Sequence, residues 1–272
     1  MTNLYYNMNL IYLDTNVFTL ISEDIDIQKK FISWANNQNL KIIISVILLS
    51  ELIQKESKFP LFNELINNKK LEVIFLGGYD LICGLEINNY PTPITLQELS
   101  INSVINKLLN GNSFDFFNLK HSTNFMNAKE NQKYISNTEF KRILNKWKLF
   151  YPPDNKNSYS KRKQSELMKM IENNMVSDLK AKMNLKDIDS SKIKTRMIIN
   201  KSLMKKYLFN YTKNFDPNDF ADIMHIAYSP YIKYFITEKN NSDILNQIKK
   251  ETNLLNSTII IKISDFRKDF KK

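Results

Sequence analysis

Short apolar runs, rich in β-branched and aromatic residues, occur five times in this 272-residue chain, and segments with helical periodicity separate them. Three runs lie in the first third of the chain, and two lie near its carboxyl end. They are Leu10–Leu13, Lys41–Ile44, Leu71–Leu76, Tyr234–Ile236 and Thr258–Ile263. Strands that alternate with helices form a mostly parallel sheet with helices on both faces. The sequence therefore predicts an α/β fold.

A long segment between the third and fourth runs has helical periodicity throughout, from Thr95 to about Asn210. It contains four predicted helices, Leu96–Leu109, Thr138–Phe150, Lys161–Met183 and Ser190–Phe209. We therefore divide the chain into three parts. Residues 1–94 and 211–272 form the two parts of the α/β core, and residues 95–210 form a large helical insertion.

Positive charge is concentrated in one part of the chain, whose formal net charge is +11. Residues 141–213 contain 19 Lys and Arg but only 6 Asp and Glu, whereas the remainder has 20 basic and 22 acidic residues. A basic segment on a near-neutral core indicates a polyanionic partner. A solvated helical face in a lysine-rich chain is the alternative. The predicted phosphate contacts are Lys161, Arg162, Lys163, Lys194, Arg196, Lys205 and Lys206.

The single cysteine, Cys83, excludes an internal disulfide framework and a zinc site built from several cysteines. This usage is typical of a reducing compartment, so we expect a cytoplasmic protein. No apolar run is long enough to cross a membrane, and the amino end lacks the pattern of a secretion signal.

Four carboxylates occupy comparable positions relative to the predicted strands. Asp14 and Glu238 directly follow strands, Glu51 lies on the predicted helix Val46–Lys55, and Asp222 lies in the first turns of another helix. Ser45 is the predicted N-cap of the helix that carries Glu51. In a parallel sheet such positions meet at the carboxyl ends of the strands. Asp14 has an alternative role, because Asp commonly caps the helix after a strand.

Carboxylates that share one edge of a sheet repel each other unless a cation joins them. Oxygen ligands of this kind suit Mg²⁺ or Mn²⁺. Such cations activate water and stabilise the oxygens of a phosphodiester during its hydrolysis. The four acids therefore predict a divalent-metal site.

The stretches that carry these acids resemble the PIN-domain ribonucleases, within the wider group of 5′-nuclease-like folds. The resemblance covers residues 9–76 and 218–265 and does not reach the helical insertion. The matching stretches are Ile11-Tyr-Leu-Asp-Thr-Asn16, Ile44-Ser45 with Leu49-Ser-Glu-Leu52, Asp222-Ile-Met-His-Ile-Ala227 and Tyr234-Phe-Ile-Thr-Glu238.

The resemblance implies a Rossmann-like, three-layer α/β/α core and a metal-dependent endoribonuclease. It also implies that Asp14, Glu51 and Asp222 bind Mg²⁺ or Mn²⁺, while Asn16 and Thr237 orient the acids or a phosphate. Relatives usually have Asp two residues after this Thr, where the present chain has Lys239. The fourth acid is then either Glu238 or Asp243.

Two neighbours of Asp222 share its helix face, at a spacing of three residues on either side. We expect Asp219 to be a first-turn acid and accessory to the site, and His225 to pack or form hydrogen bonds.

Several functional assignments stay open at the level of sequence. A bacterial toxin or defence nuclease fits the pattern, with RNA as substrate, DNA not excluded, and a protein regulator or antitoxin and a homo-oligomer as further partners. The alternative is a PIN-like module that has lost catalysis and serves in RNA binding or assembly, which Lys239 favours. A phosphatase of the haloacid dehalogenase type needs a second Asp two residues after Asp14, where this chain has Asn16.

Overall fold

A five-stranded parallel sheet forms the centre of the protein. The computed structural model describes residues 9–122, 125–127, 130, 134, 138, 140–154 and 158–271. The strands are β1 Leu10–Leu13, β2 Lys41–Ser45, β3 Glu72–Leu76, β4 Tyr234–Thr237 and β5 Ile259–Lys262. Their order is β3-β2-β1-β4-β5, and every neighbouring pair is parallel. The predicted α/β fold with a mostly parallel sheet is therefore confirmed.

Helices surround this sheet in the part of the chain that the structure describes. Before β4 they are α1 Thr15–Glu23, α2 Ile25–Asn37, α3 Val46–Leu52, α4 Phe59–Ile66, α5 Tyr79–Asn88, α6 Leu96–Leu99, α7 Asn102–Leu108, α8 Phe116–Lys120, α9 Lys141–Phe150, α10 Lys161–Met183, α11 Lys194–Leu203 and α12 Pro217–Ile226. After β4 they are α13 Lys239–Glu251 and α14 Ile263–Lys271. Of these described helices, none is both long enough and apolar enough to span a bilayer.

Both faces of the sheet are buried because successive strand residues point to opposite sides. Ile11 and Leu13 of β1 belong to one core cluster, which includes residues of α1, α2, α4 and α14. Leu10 and Tyr12 belong to a second cluster, which includes residues of α11, α12 and α13. Burial on both faces explains why the strands are continuous apolar runs rather than alternating ones.

The direction of the chain across the sheet changes at β1. From β1 the chain proceeds to β2 and β3 on one side, and it later adds β4 and β5 on the other. Open α/β sheets bind ligands outside the carboxyl ends of the strands at such a switch point. Here the switch lies between β1 and β4, the strands that Asp14 and Glu238 directly follow.

Several predicted helices differ from those in the structure. The single helix predicted over Leu96–Leu109 is wrong, because α6 ends at Leu99 and α7 begins at Asn102. Between them, Ser100 forms an isolated bridge with Leu76, and the chain extends the edge of β3. The predicted helix Ser190–Phe209 is also divided, into a 3-10 turn at Ser190–Lys192, α11 and a π turn at Met204–Leu208. The predicted helix Thr138–Phe150 is α-helical from Lys141, and Glu139 lies outside the described residues.

The predicted boundary at residue 210 does not coincide with a boundary in the packing. Ile198, Ile199 and Leu203 of α11 lie in the same core cluster as Tyr12 of β1. The end of the predicted insertion therefore helps to cover one face of the sheet. Helix α10, in contrast, packs in two smaller clusters away from the strands.

Candidate active site

Asp14 joins the ends of the two central strands. It is 5% exposed, and its Oδ1 accepts a hydrogen bond of 3.1 Å from the backbone N–H of Val17, which caps α1. Its Oδ2 accepts a second one, of 2.9 Å, from the N–H of Glu238. The capping role considered from the sequence is confirmed. The same carboxylate also holds the end of β4 beside the end of β1.

Glu51 reaches the same edge of the sheet from α3. Ser45 caps this helix as predicted, with its Oγ accepting the N–H of Leu48 at 3.1 Å. Oε2 of Glu51 accepts a hydrogen bond from the Thr15 hydroxyl and lies 3.0 Å from Nε2 of His225. Burial acts to raise the pKa of this carboxyl, but His225 and Thr15 outweigh it and lower the pKa below its usual value. Glu51 is therefore held as a carboxylate.

His225 connects Glu51 to a tyrosine in the core of the sheet. Its ring is buried on α12, and its Nδ1 lies 2.5 Å from the Tyr12 hydroxyl, which in turn lies 2.7 Å from Oγ of Ser45. Burial acts to lower the imidazole pKa, but Glu51, Asp14 and Asp222 together raise it above the ordinary value. Of the four predicted acids, Glu51 is the one that His225 contacts directly, and the expected hydrogen-bonding role of His225 is confirmed.

The protonated form of His225 can satisfy both of its neighbours. Both ring nitrogens then donate, Nε2–H to Glu51 and Nδ1–H to the Tyr12 oxygen. The Tyr12 hydroxyl keeps its own proton for Ser45, since burial raises its pKa well above the usual range. The chain of contacts from Ser45 to Glu51 is therefore consistently satisfied.

Asp222 and Asp219 share a buried lysine. Nζ of Lys206, on the π turn, lies 3.0 Å from Oδ1 of Asp219 and 3.0 Å from Oδ2 of Asp222. Oδ2 of Asp219 also accepts a hydrogen bond of 2.8 Å from the Tyr207 hydroxyl and lies 2.5 Å from Nζ of Lys213. Burial acts to raise the pKa of Asp219, but these partners lower it. Asp219 lies in the first turn of α12, as predicted.

Glu238, rather than Asp243, is the acid that lies beside Asp14. Oε1 of Glu238 accepts a hydrogen bond from Nδ2 of Asn16, whereas Oδ1 of Asp243 pairs with Lys262 at 2.8 Å. Thr237 is fully buried, and its hydroxyl has no hydrogen-bond partner among the described residues. Asn16 therefore orients an acid, while Thr237 forms no contact of that kind.

The oxygen donors suit a hard divalent cation in their chemistry. Asp14, Glu51, Asp222 and Glu238 offer only carboxylate oxygens, the type of ligand that Mg²⁺ and Mn²⁺ prefer. As the side chains lie, however, protein groups hold them, and no group of three or more His, Cys, Asp or Glu among the described residues has the spacing of a metal site. A bound ion would therefore have to displace some of these partners.

Most of the predicted phosphate contacts are less exposed than the sequence suggests. Lys161 and Arg162 are exposed at the start of α10, and Lys163 is half-buried. Lys194 and Arg196 are half-buried on α11, and burial lowers the pKa of Lys194 to about 8. Lys205 pairs with Glu251 at 2.7 Å, with its side chain 10% exposed. The predicted phosphate contact of Lys206 is wrong, because its ammonium lies between two acids of the site instead of on a basic surface.

A groove begins beside the acids at Asn16. It is lined by Asn16, Thr19, Leu20, Glu23, Ile263, Ser264 and Arg267. Arg267 is exposed on α14, so the groove offers a cationic group close to the acidic edge of the sheet. The sequence analysis missed Arg267, because nothing in the pattern around it relates α14 to the first helix.

Thr15, which contacts Glu51, and Tyr12 and Ser45, which are connected to Glu51 through His225, also belong to the site, although sequence reasoning placed none of them in it. Tyr12 had a usable signal, since a tyrosine within a buried strand needs a partner for its hydroxyl.

Neither a protein-family model nor a curated protein nor a solved structure matches this chain.

Proposed function

We propose that this protein is a metal-dependent endoribonuclease with a PIN-like, Rossmann-type core. The observation that carries the proposal is the placement of Asp14 and Glu238 directly after the neighbouring parallel strands β1 and β4, with Glu51 of α3 in contact with His225, three residues after Asp222 on α12. The N–H of Glu238 also contacts Asp14 at this switch point of the sheet. Acids gathered in this way at the carboxyl ends of parallel strands favour a cation site.

The residues that would hold Mg²⁺ or Mn²⁺ are Asp14, Glu51, Asp222 and Glu238. When bound, such an ion lowers the pKa of a water molecule and stabilises the charge that develops on phosphate oxygens. The surrounding residues position these acids. His225, anchored on Tyr12, keeps Glu51 ionised and fixes its orientation, and Asp14 holds the ends of β1 and β4 together.

Exposure and charge indicate how the substrate approaches. Glu238 is exposed and the Asp222 side chain is 41% exposed, so the site opens to solvent on this side. The groove from Asn16 to Arg267 offers one path for a phosphate backbone. The exposed Lys161 and Arg162 add cationic groups to the basic segment, and such contacts give affinity without sequence preference.

A cleavage assay tests this function. Purified protein is incubated with labelled single-stranded RNA, structured RNA and single-stranded DNA, in Mn²⁺ or in EDTA. We expect RNA cleavage that requires Mn²⁺ and is lost in Glu51→Gln, in which the amide oxygen can still accept from Thr15 and His225. Asp243→Asn is the matched control, because this acid pairs with Lys262 outside the site, and it should cleave like the original protein.

Other results would change the assignment. Cleavage of DNA but not RNA would show that DNA, not RNA, is the substrate. RNA binding without cleavage in either Mg²⁺ or Mn²⁺ would favour the second candidate, an RNA-binding or assembly module without catalysis. The ammonium of Lys206 beside Asp222 is the observation that favours this second candidate, because it already neutralises a proposed ligand.

A further inference from the structure

One face of α9 combines cationic and apolar side chains on the surface of the protein. It consists of five residues that share one side of the helix because they follow one another at spacings of one, three or four: Arg142, Asn145, Lys146, Leu149 and Phe150. All five are exposed, Leu149 to 77% and Phe150 to 61%. Grouped apolar side chains on a surface are a sign of an interaction site, whereas isolated ones are ordinary.

The opposite side of α9 packs beside the candidate active site. Leu144 is buried in the same core cluster as Phe220 of α12. Phe140, which directly precedes α9, contacts the Phe220 ring edge to face, with the ring centroids 4.9 Å apart. Phe220 lies between Asp219 and Asp222 in the sequence. At 1.5 Å per residue, the far end of α9 is about 15 Å from this contact along the helix axis.

The carboxyl end of α9 is held in the same region. Nζ of Lys148 donates to the carbonyls of Tyr211 and Lys213, at 2.7 and 2.6 Å. Nζ of Lys213 in turn lies 2.5 Å from Oδ2 of Asp219. Both ends of α9 are therefore anchored to residues in α12 or just before it, so the exposed face has a defined position relative to the acids.

The chemistry of this face indicates an anionic partner with flat apolar groups. The ten residues of α9 include four Lys or Arg and no Asp or Glu. Nζ of Lys146 lies 5.9 Å from the centroid of the Phe150 ring, within the range of a cation–π contact. Single-stranded nucleic acid offers both matching groups, since its phosphates pair with cations and its bases stack on aromatic rings. A membrane-bound helix needs an apolar face along its length, whereas polar side chains occupy the amino-terminal half of this one.

We propose that the exposed face of α9 is a binding surface for single-stranded RNA. Phe150 stacks on a base, and Lys146 binds a neighbouring phosphate. This inference rests on the proposed function, because the contacts of α9 with α12 place the surface beside the acids that would cleave the same strand. Phe150 and Lys146 contribute to the affinity for RNA and take no part in its hydrolysis.

Fluorescence anisotropy of a labelled single-stranded RNA tests the inference, with the full chain in EDTA so that the RNA stays intact. Phe150→Ala should weaken binding at least about fivefold because it removes a stacked base, and Phe150→Trp should bind like the original protein. Lys146→Gln should reduce the slope of log K against log salt by about 0.7. The matched control is Phe117→Ala, because Phe117 is 42% exposed on α8, and it should bind like the original protein.

The outcomes separate this inference from the function on which it rests. RNA binding that is unchanged in Phe150→Ala would overturn the inference and leave the nuclease proposal standing. Weaker binding in Phe150→Ala, without cleavage by the original protein in Mg²⁺ or Mn²⁺, would support the inference and overturn the nuclease proposal. An original protein that binds no RNA would overturn both.

Other occupants of the surface give different results. If Phe150→Ala keeps its affinity for RNA but loses binding to phosphatidylserine vesicles, the surface serves a membrane and the inference is overturned. Dissociation of a dimer in Phe150→Ala, again with unchanged RNA binding, would assign the surface to a second copy of this chain and overturn it as well. If Phe150→Ala does not fold, the salt slope of Lys146→Gln decides, and an unchanged slope would contradict the inference.

Discussion

The Tyr12 hydroxyl links the core of the sheet to the acids of the site. The ring lies between Tyr228 and Phe235, at 5.2 Å from each, and the hydroxyl contacts both His225 and Ser45. The aromatic contacts hold the ring within the core, so the hydroxyl is presented to His225 at a defined position. Tyr12 of β1 therefore helps to orient Glu51 through His225, although Glu51 lies on α3.

Removal of this hydroxyl should destabilise the protein. Tyr12→Phe leaves Nδ1 of the buried His225 without its partner, and a buried polar group without a hydrogen bond costs about 1–3 kcal/mol. Urea unfolding measures the difference. Tyr234→Phe is the control, because Tyr234 is half-buried in β4 and has no side-chain hydrogen bond among the described residues. Equal effects of the two substitutions would contradict the role assigned to Tyr12.

Cys83 should be unreactive in the folded protein. The thiol is 2% exposed, and burial, assisted by Glu86, raises its pKa from 9.0 to about 12. A rise of this size lowers the thiolate fraction at pH 8 by about a thousandfold. Because only the thiolate reacts, labelling with a disulfide reagent at pH 8 should be slow until denaturant is added and should then reach one equivalent. Native labelling at the denatured rate would contradict this prediction.

At the level of residues, the sequence identified groups whose position follows from local pattern. Asp14 directly follows a strand, and Glu51 lies six residues after the cap of its helix, so both could be located before the structure was known. Lys206 could not, since its place depends on a π turn and on contacts with a different helix. Lys206 follows Lys205 in a segment rich in lysine, and this favoured the prediction of a surface contact.

At the level of elements, the strands were the most predictable part of the chain. All five predicted strands agree with the structure to within one residue at each end, because their β-branched runs stop at polar residues or turns. Helix α6 ends early for a reason that no local pattern contains. The N–H of Ile101 donates to the carbonyl of Phe75 at 2.8 Å, so the chain leaves the helix to extend the edge of the sheet.

The start of α3 should be sensitive to the loss of its cap. Ser45→Ala removes the acceptor for the Leu48 N–H and the partner of the Tyr12 hydroxyl, and loss of an N-cap alone costs about 1 kcal/mol. We expect a lower free energy of unfolding in urea. Ser50→Ala, on the same helix, is the control, because this hydroxyl donates only within the helix to Ile47, and it should change stability by less than about 0.5 kcal/mol. A smaller effect at Ser45 than at Ser50 would contradict the capping role.

For the whole molecule, the sequence predicted the α/β core but not how the insertion joins it. Helical periodicity is the same for a helix in an outer cluster and for one against the sheet, so α10 and α11 could not be distinguished. The structure separates them, with Ile198 and Leu203 of α11 in the central core. The helix that covers the sheet thereby leads directly into the π turn with Lys206.

The exposed basic end of α10 should contribute to RNA binding through charge alone. Binding is measured by fluorescence anisotropy in EDTA at several salt concentrations. If both residues contact phosphates, Lys161→Gln with Arg162→Gln should reduce the slope of log K against log salt by about 1.4, since each phosphate contact to a single strand contributes about 0.7. Lys29→Gln with Lys30→Gln is the matched control, as these exposed lysines lie on α2 outside the basic segment. Equal changes in the two slopes would contradict a specific role for α10.

The proposed function requires that Asp14, Glu51, Asp222 and Glu238 jointly bind a divalent cation. The most direct test is the affinity for Mn²⁺, measured by calorimetry for the original protein and for Glu51→Gln, Asp222→Asn and Asp243→Asn. Binding should weaken at least about tenfold in Glu51→Gln and in Asp222→Asn, and Asp243→Asn should bind like the original protein. Equal affinities in all four proteins, or no binding in any of them, would contradict the claim.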